Sequence, residues 1–123
     1  MAAASTPAPT EITLHQQSQI LEIAFADAKV FRLSSEFLRV HSPSAEVRGH
    51  GPGQEVLQPG KKNVRILAVE PVGHYAIQLR FSDGHDTGIY SWDLLYDYGA
   101  RQDTMWQQYL KRLADAGASR EPS

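Results

Sequence analysis

The sequence predicts an α+β fold: a small antiparallel β-sheet covered on one face by C-terminal helices, with a long Gly/Pro-rich loop. Two periodicities and their order carry that prediction. Apolar residues alternate with polar ones at Leu21, Ile23 and Phe25, and again at Tyr75, Ile77, Leu79 and Phe81. That is the period of half-buried strands. A helical period takes over near the C-terminus, where Trp106, Tyr109, Leu110 and Leu113 fall at i, i+3, i+4 and i+7. Strands first and helices last suit an antiparallel sheet with helices gathered on one face.

Taken in order, residues 1–9 are rich in Ala, Pro, Ser and Thr, with neither a basic start nor a long apolar run. They read as a disordered tail, not as a signal peptide or membrane span. Strands are expected at 11–14 and 19–25, joined by the polar turn His15-Gln16-Gln17-Ser18, and the turn Asp27-Ala28 leads to a third strand at 30–33. Ser34-Ser35-Glu36 signals a capped helical turn that buries Phe37 and Leu38, and Pro43 stops it. From 42 to 63 the pattern dissolves among prolines and glycines, with room for a short edge strand around 55–57.

The run 64–70 is apolar on both faces and reads as a central strand, followed by a turn at Pro71-Val72-Gly73. The alternating strand to Ser82 then meets Asp83-Gly84, the pair favoured in two-residue hairpin turns with positive φ at both positions. A strand at 87–90 returns. Ser91 is a good N-cap for a helix ending at Gly99 as C′ residue, and Asp103 or Thr104 caps a second helix closed by Gly117.

The length suits one domain with its own core. An apolar fraction of 41% and a formal net charge of −2 are ordinary for a globular chain and give no case for nucleic acid or membrane as partner. There is no cysteine, hence no disulfide framework and no thiolate nucleophile or ligand. A cytoplasmic location fits.

The run Asp83-Gly84-His85-Asp86-Thr87-Gly88-Ile89-Tyr90-Ser91-Trp92-Asp93-Leu94-Leu95 resembles the signature of the gamma-butyrobetaine hydroxylase N-terminal-like family. That family includes small stand-alone bacterial proteins of uncharacterised function. It also occurs as a domain in front of 2-oxoglutarate/iron oxygenases and behind P-loop iron–sulfur carrier ATPases. The resemblance covers nearly the whole chain, with the domain at 10–117 and a frayed end at 118–123, and it leaves no room for a fused catalytic domain.

The resemblance implies a site to test. In oxygenase-fused relatives, three cysteines and one hairpin histidine hold a structural zinc as a closed tetrahedron. Matching Leu38-Arg39 to the Leu-Arg before those cysteines puts Ser42, Ser44 and Val47 at the thiolate positions and His85 at the histidine. Two hydroxyls and a valine do not replace three thiolates. His85 then reads as a hydrogen-bonded turn histidine. A different centre, for iron or zinc, would combine His85 and Asp86 with His41 or His50, although adjacent strand residues point to opposite faces.

Further candidates are weighed in the same way. The loop Arg48-Gly49-His50-Gly51-Pro52-Gly53 with Lys61, Lys62 and Arg65 has the glycines and cations of a phosphate cradle. It lacks the preceding strand and following helix of a phosphate loop, so a turn-rich connector explains it as well. Trp92 and Trp106 belong to the core by spacing, whereas Tyr96, Tyr98 and Tyr109 are candidates for a binding surface. No spacing marks a nucleophile with its base, or a carboxylate pair.

The function expected is therefore a non-enzymatic interaction or adaptor module with no cofactor. The family's fusions imply a partner in iron or iron–sulfur metabolism. Contacts are expected from His85, Asp86 and Tyr90 at the hairpin and from Arg48, His50, Lys61 and Lys62 in the facing loop. The alternative is an iron- or zinc-binding protein built on His85 with other histidine or carboxylate ligands.

Overall fold

In a computed structural model describing residues 6–49, 51 and 53–122, the early alternation becomes β1 (Pro9–His15), β2 (Ile20–Phe25) and β3 (Val30–Ser34). They form an antiparallel meander in the order β1-β2-β3. A second antiparallel sheet contains β4 (Ile66–Val72), β5 (Ala76–Phe81) and β6 (Ile89–Ser91), in the order β4-β5-β6. The antiparallel α+β architecture is as expected, with its strands divided between two three-stranded sheets. Their apolar faces meet in one cluster: Leu21, Ile23 and Phe25 from β2, Ile77, Leu79 and Phe81 from β5. Each such side chain contributes about 1.5–3 kcal/mol by leaving water.

Four helices accompany the sheets among the described residues. In α1 (Ser35–Val40) every residue is buried, and the N-cap Ser34 hydroxyl accepts the Phe37 N–H at 3.0 Å. The loop expected to be patternless holds α2 (Ala45–Arg48), capped by Ser44. No strand forms at 55–57, where a single bond from Val56 N–H to Val47 O (2.8 Å) ties the loop back. Ser91 caps α3 (Trp92–Ala100) as anticipated, its hydroxyl accepting the Leu94 N–H at 3.1 Å. Helix α4 (Gln102–Asp115) buries Met105, Tyr109 and Leu113. Gly117, at φ +64°, is its C′ residue. Its N–H donates to Ala114 O, and the Ala118 N–H donates to Leu113 O, the paired bonds of a Schellman ending.

Four expectations need correction. Strand β4 is an edge strand, not a central one. A register shift between Ile66 and Ala68 turns Leu67 outward, and Pro71, which has no N–H for a ladder, is tolerated only at such an edge. Gly99 lies within α3 and ends nothing; a Cβ there would stand 2.2 Å from the Phe31 ring, so the glycine admits the aromatic side chain of β3. Helix α4 begins at Gln102 with no side-chain cap, and Asp103 sits in its first turn. The expected frayed end is tied down. Gly60 and Lys62 donate to the carbonyls of Ser119 and Arg120, and the Arg120 guanidinium grips the buried Glu36 carboxylate at 2.7 and 2.8 Å. At the other end, Ala8 accepts the Ala26 N–H and Pro9 already belongs to β1, while residues 1–5 of the expected tail lie outside those described.

Gln19 holds the two sheets and α1 in register. At φ +54° its backbone turns β1 into β2, and its side-chain oxygen accepts both the Ile66 N–H (2.7 Å) and the Ser35 hydroxyl (2.6 Å). This brings the β5–β6 connection alongside α1 and α2.

Candidate functional site

The corner where that connection meets α1 and α2 is built on a tight turn. Phe81 N–H donates to His85 O (3.0 Å) and Gly84 N–H to Phe81 O (3.1 Å), enclosing Ser82, Asp83 and Gly84. Only Gly84 has positive φ, +89°. The turn is thus a three-residue connection with glycine at its left-handed position, not the two-residue form expected from Asp83-Gly84. Asp83 is thereby free to act through its side chain. One carboxylate oxygen accepts the His85 N–H at 3.2 Å; the other takes the Arg39 guanidinium at 2.8 Å and the Lys61 ammonium at 2.7 Å. Burial pushes the carboxyl up, but the bonds from Lys61, the His85 N–H and Arg39 outweigh it and hold it at about 2. Hairpin, α1 and loop are joined through this one acid.

His85 is buried, not facing water: it is 7% exposed. Its Nε2 lies 2.8 Å from the Ser42 hydroxyl and its Nδ1 3.5 Å from a Glu46 carboxylate oxygen. A carboxylate on the Nδ1 side favours the tautomer protonated there, so Nε2 accepts from Ser42. The Ser44 N–H donates to the Ser42 hydroxyl at 3.2 Å, and the Ser44 hydroxyl meets Thr87 at 2.8 Å while capping α2. Val47, one turn on, is buried as well. Gly88 makes this closeness possible, since a Cβ there would lie 2.5 Å from the Ser42 hydroxyl. Burial first, then the Arg39 charge, pushes the His85 imidazole below its ordinary value.

The positions matched to the zinc ligands therefore do converge on one corner. The side chains they carry do not fit the ion. Two hydroxyls already engaged in hydrogen bonds and an aliphatic side chain offer no thiolate to a tetrahedral zinc. Among the described residues no group of three or more His, Cys, Asp or Glu side chains stands together in a way that could hold a metal. His41 is committed elsewhere. Its Nδ1 is 2.9 Å from Phe37 O and its ring packs 4.5 Å from the Phe37 ring. Asp86 is exposed, its carbonyl taking the Gln78 side-chain amide. His50 lies outside the described residues.

Ser42, His85 and Glu46 stand in line as hydroxyl, imidazole and carboxylate, an order that no sequence spacing announced. Ser42 is only 1% exposed, and its oxygen faces Ser44 and Gly88. That oxygen is already engaged by the His85 imidazole and the Ser44 N–H. The arrangement is that of a closed structural corner.

The remaining candidates scatter. Tyr90, expected at a contact surface, is fully buried, and its hydroxyl donates to Leu38 O at 2.5 Å. As β6 is the strand that closes the core, its inward residue cannot meet a partner. Lys61 is bound to Asp83, Lys62 to Glu121 (2.8 Å), and Arg65 to Gln16 O (2.9 Å), so among the described residues these cations do not form a phosphate cradle, in keeping with a turn-rich connector. Arg48 is exposed at the end of α2. The tyrosines weighed as a surface cluster do not form one: Tyr98 and Tyr109 both pack on the His41 ring, inside the molecule, and Tyr96 stands apart from them. Tyr98 donates to His41 O and Tyr109 to Gln58 O, both buried, while Tyr96 donates to Asp27 near the edge of the first sheet.

Comparison with known proteins agrees with this architecture. The family described as gamma-butyrobetaine hydroxylase-like, N-terminal, matches residues 12–96, which include every residue of the His85 corner. A protein whose structure was solved by NMR in solution is 49% identical, covering 97% of this chain and 94% of its own, with a TM-score of 0.84. A second NMR structure is 52% identical, covering 99% and 91%, with a TM-score of 0.83. A crystal structure from Acidithiobacillus ferrooxidans, of a protein of unknown function in the DUF971 family, is 41% identical. It covers 75% of this chain and 92% of its own, with a TM-score of 0.63. No curated protein matches.

Proposed function

The chain belongs to the gamma-butyrobetaine hydroxylase-like N-terminal family, and from that premise we propose that it is a non-enzymatic interaction module of the cytoplasm. The partner we propose is an enzyme or carrier of iron or iron–sulfur metabolism, by analogy with the oxygenase and iron–sulfur carrier fusions that the family resemblance implies. One observation carries the reading. Leu67, Tyr75 and Ile89, all on the second sheet and its first turn, expose 59%, 61% and 48% of their surface. Leu67 and Ile89 stand on the two edge strands of that sheet, whose unpaired backbone and apolar side chains a partner strand or face can cover. Of the contacts expected from the sequence, Asp86, Arg48 and Lys62 remain at the surface. No helix among the described residues is long and apolar enough to cross a membrane.

The test is affinity capture from a bacterial extract with the wild type and with a Leu67→Asp, Ile89→Asp variant, followed by iron analysis of what is retained. An iron-containing protein held by the wild type and lost from the variant supports the proposal. Retention of nothing by the wild type, or of the same proteins by both, refutes it. A second reading, a metal centre on His85, is favoured only by the contact of Ser42 with that imidazole and of Ser44 with Ser42 and Thr87 beside it. Elemental analysis of the wild type beside His85→Ala decides it: one equivalent of iron or zinc, absent from the variant, establishes the centre.

A further inference from the structure

Beside Ser42, the chain forms a cleft of about 520 Å³ between α1, α2, the loop after α2 and the two C-terminal helices. That is within the size range of small-molecule sites. Val40 and Val47 line it and are 4% and 6% exposed; the Tyr98 ring also lines it, held by the bond of its hydroxyl to His41 O. Val56, in the loop, lines it too and is 50% exposed. The bond from Val56 N–H to Val47 O fixes that wall.

The charge in the cleft is lopsided. Arg48 from α2 and Arg112 from α4 both line it, and among the described residues neither forms an ion pair. Glu55, the one carboxylate among the described residues lining it, accepts the Gly53 N–H at 3.2 Å within its own loop. His41 lines it as an imidazole pushed below its ordinary value by burial, so it adds no cation at neutral pH.

We propose that this cleft binds a small monocarboxylate with an apolar body, of the fatty-acid or aryl-acid class. Its carboxylate sits between Arg48 and Arg112, and its hydrocarbon lies against Val40, Val47, Val56 and Tyr98. Guanidinium groups suit a planar carboxylate because their paired N–H groups donate to its two oxygens. The apolar lining takes the rest of the molecule out of water. This goes beyond the adaptor reading and does not rest on it.

Octanoate is the probe, titrated into the full chain and followed through the methyl resonances of Val40, Val47 and Val56. Octanol and octylamine serve as neutral and cationic controls. Saturable shifts at all three valines with octanoate are expected, with octanol at least about tenfold weaker and octylamine inert. In Arg48→Gln, Arg112→Gln the octanoate affinity should fall at least about tenfold with the melting temperature unchanged. Absence of saturable shifts, equal affinity for octanol, or undiminished binding in the double variant overturns the proposal. The octanol comparison decides the matter without any variant.

Discussion

The Ser42 hydroxyl and His85 Nε2 stand 2.8 Å apart across 43 residues of chain, both side chains buried. This bond fastens the hairpin to the segment between α1 and α2. Ser42→Ala would leave a buried imidazole nitrogen without a partner, at a cost of about 1–3 kcal/mol. Urea denaturation of variant and wild type measures it, and an unchanged midpoint would mean that water replaces the hydroxyl.

Acid should loosen the same corner. The native His85 imidazole lies below its ordinary value of 6.5, so the unfolded chain binds more protons as pH falls. The stability that neutral His85 contributes is full above about 6.5 and is lost as pH drops through the native value. His85→Gln should flatten this part of the stability profile in denaturation between about pH 8 and about 5. His41, lowered by burial, acts in the same direction, and His41→Gln should flatten what remains.

Asp83 sets a second acid limb. With its carboxyl held at about 2, its bonds to Lys61 and Arg39 contribute above the usual carboxylate range and disappear as pH falls through about 2. After allowance for solvent screening, Asp83→Asn should cost about 1–2 kcal/mol at neutral pH. The difference from wild type should vanish in the most acidic samples.

Gly99→Ala is expected to run against helix propensity. Alanine is favoured over glycine inside a helix by about 1 kcal/mol, yet here the new methyl would enter the Phe31 ring. Net destabilisation of about 1–3 kcal/mol is expected, read as a lower melting temperature. Phe31→Ala, Gly99→Ala together should lose less than the sum of the two single changes.

Removing one partner from the Glu36–Arg120 pair leaves a carboxylate uncompensated in a buried site. Arg120→Ala should cost about 3 kcal/mol, and Arg120→Ala in a Glu36→Gln background distinctly less. A double-mutant cycle by chemical denaturation gives the coupling, and additivity within about 0.5 kcal/mol would deny it.

How much of this was legible in the sequence depended on range. The alternation in β2 and β5, the caps at Ser34 and Ser91, and the Gly117 ending are local signals, and each has its structural counterpart. Helix α2 escaped because it has four residues and buries only Val47, too few to show a period. Gly99 was misread because a glycine that ends a helix and one that admits a ring look alike until Phe31 is brought beside it. The corner was partly readable: the family pattern picked out Ser42, Ser44, Val47 and His85 as neighbours. The bonds of Asp83 to Arg39, across 44 residues, and of Ser44 to Thr87, across 43, had no local signature. Nor did the enclosure that sets Tyr90 apart from any partner.

The tie between Glu36 and Arg120 also imposes an order in time. Glu36 leaves the ribosome 84 residues ahead of the arginine that neutralises it. At about 5–20 residues per second the acid waits roughly 4–17 s for its counter-charge. The first sheet is already synthesised and the second is translated within that interval, so the molecule acquires its strands before it can seal the carboxylate that α1 carries inward. Completion of the native packing is thereby deferred until synthesis has passed Arg120, and a chain abandoned earlier is left with a buried charge that opposes its own folding.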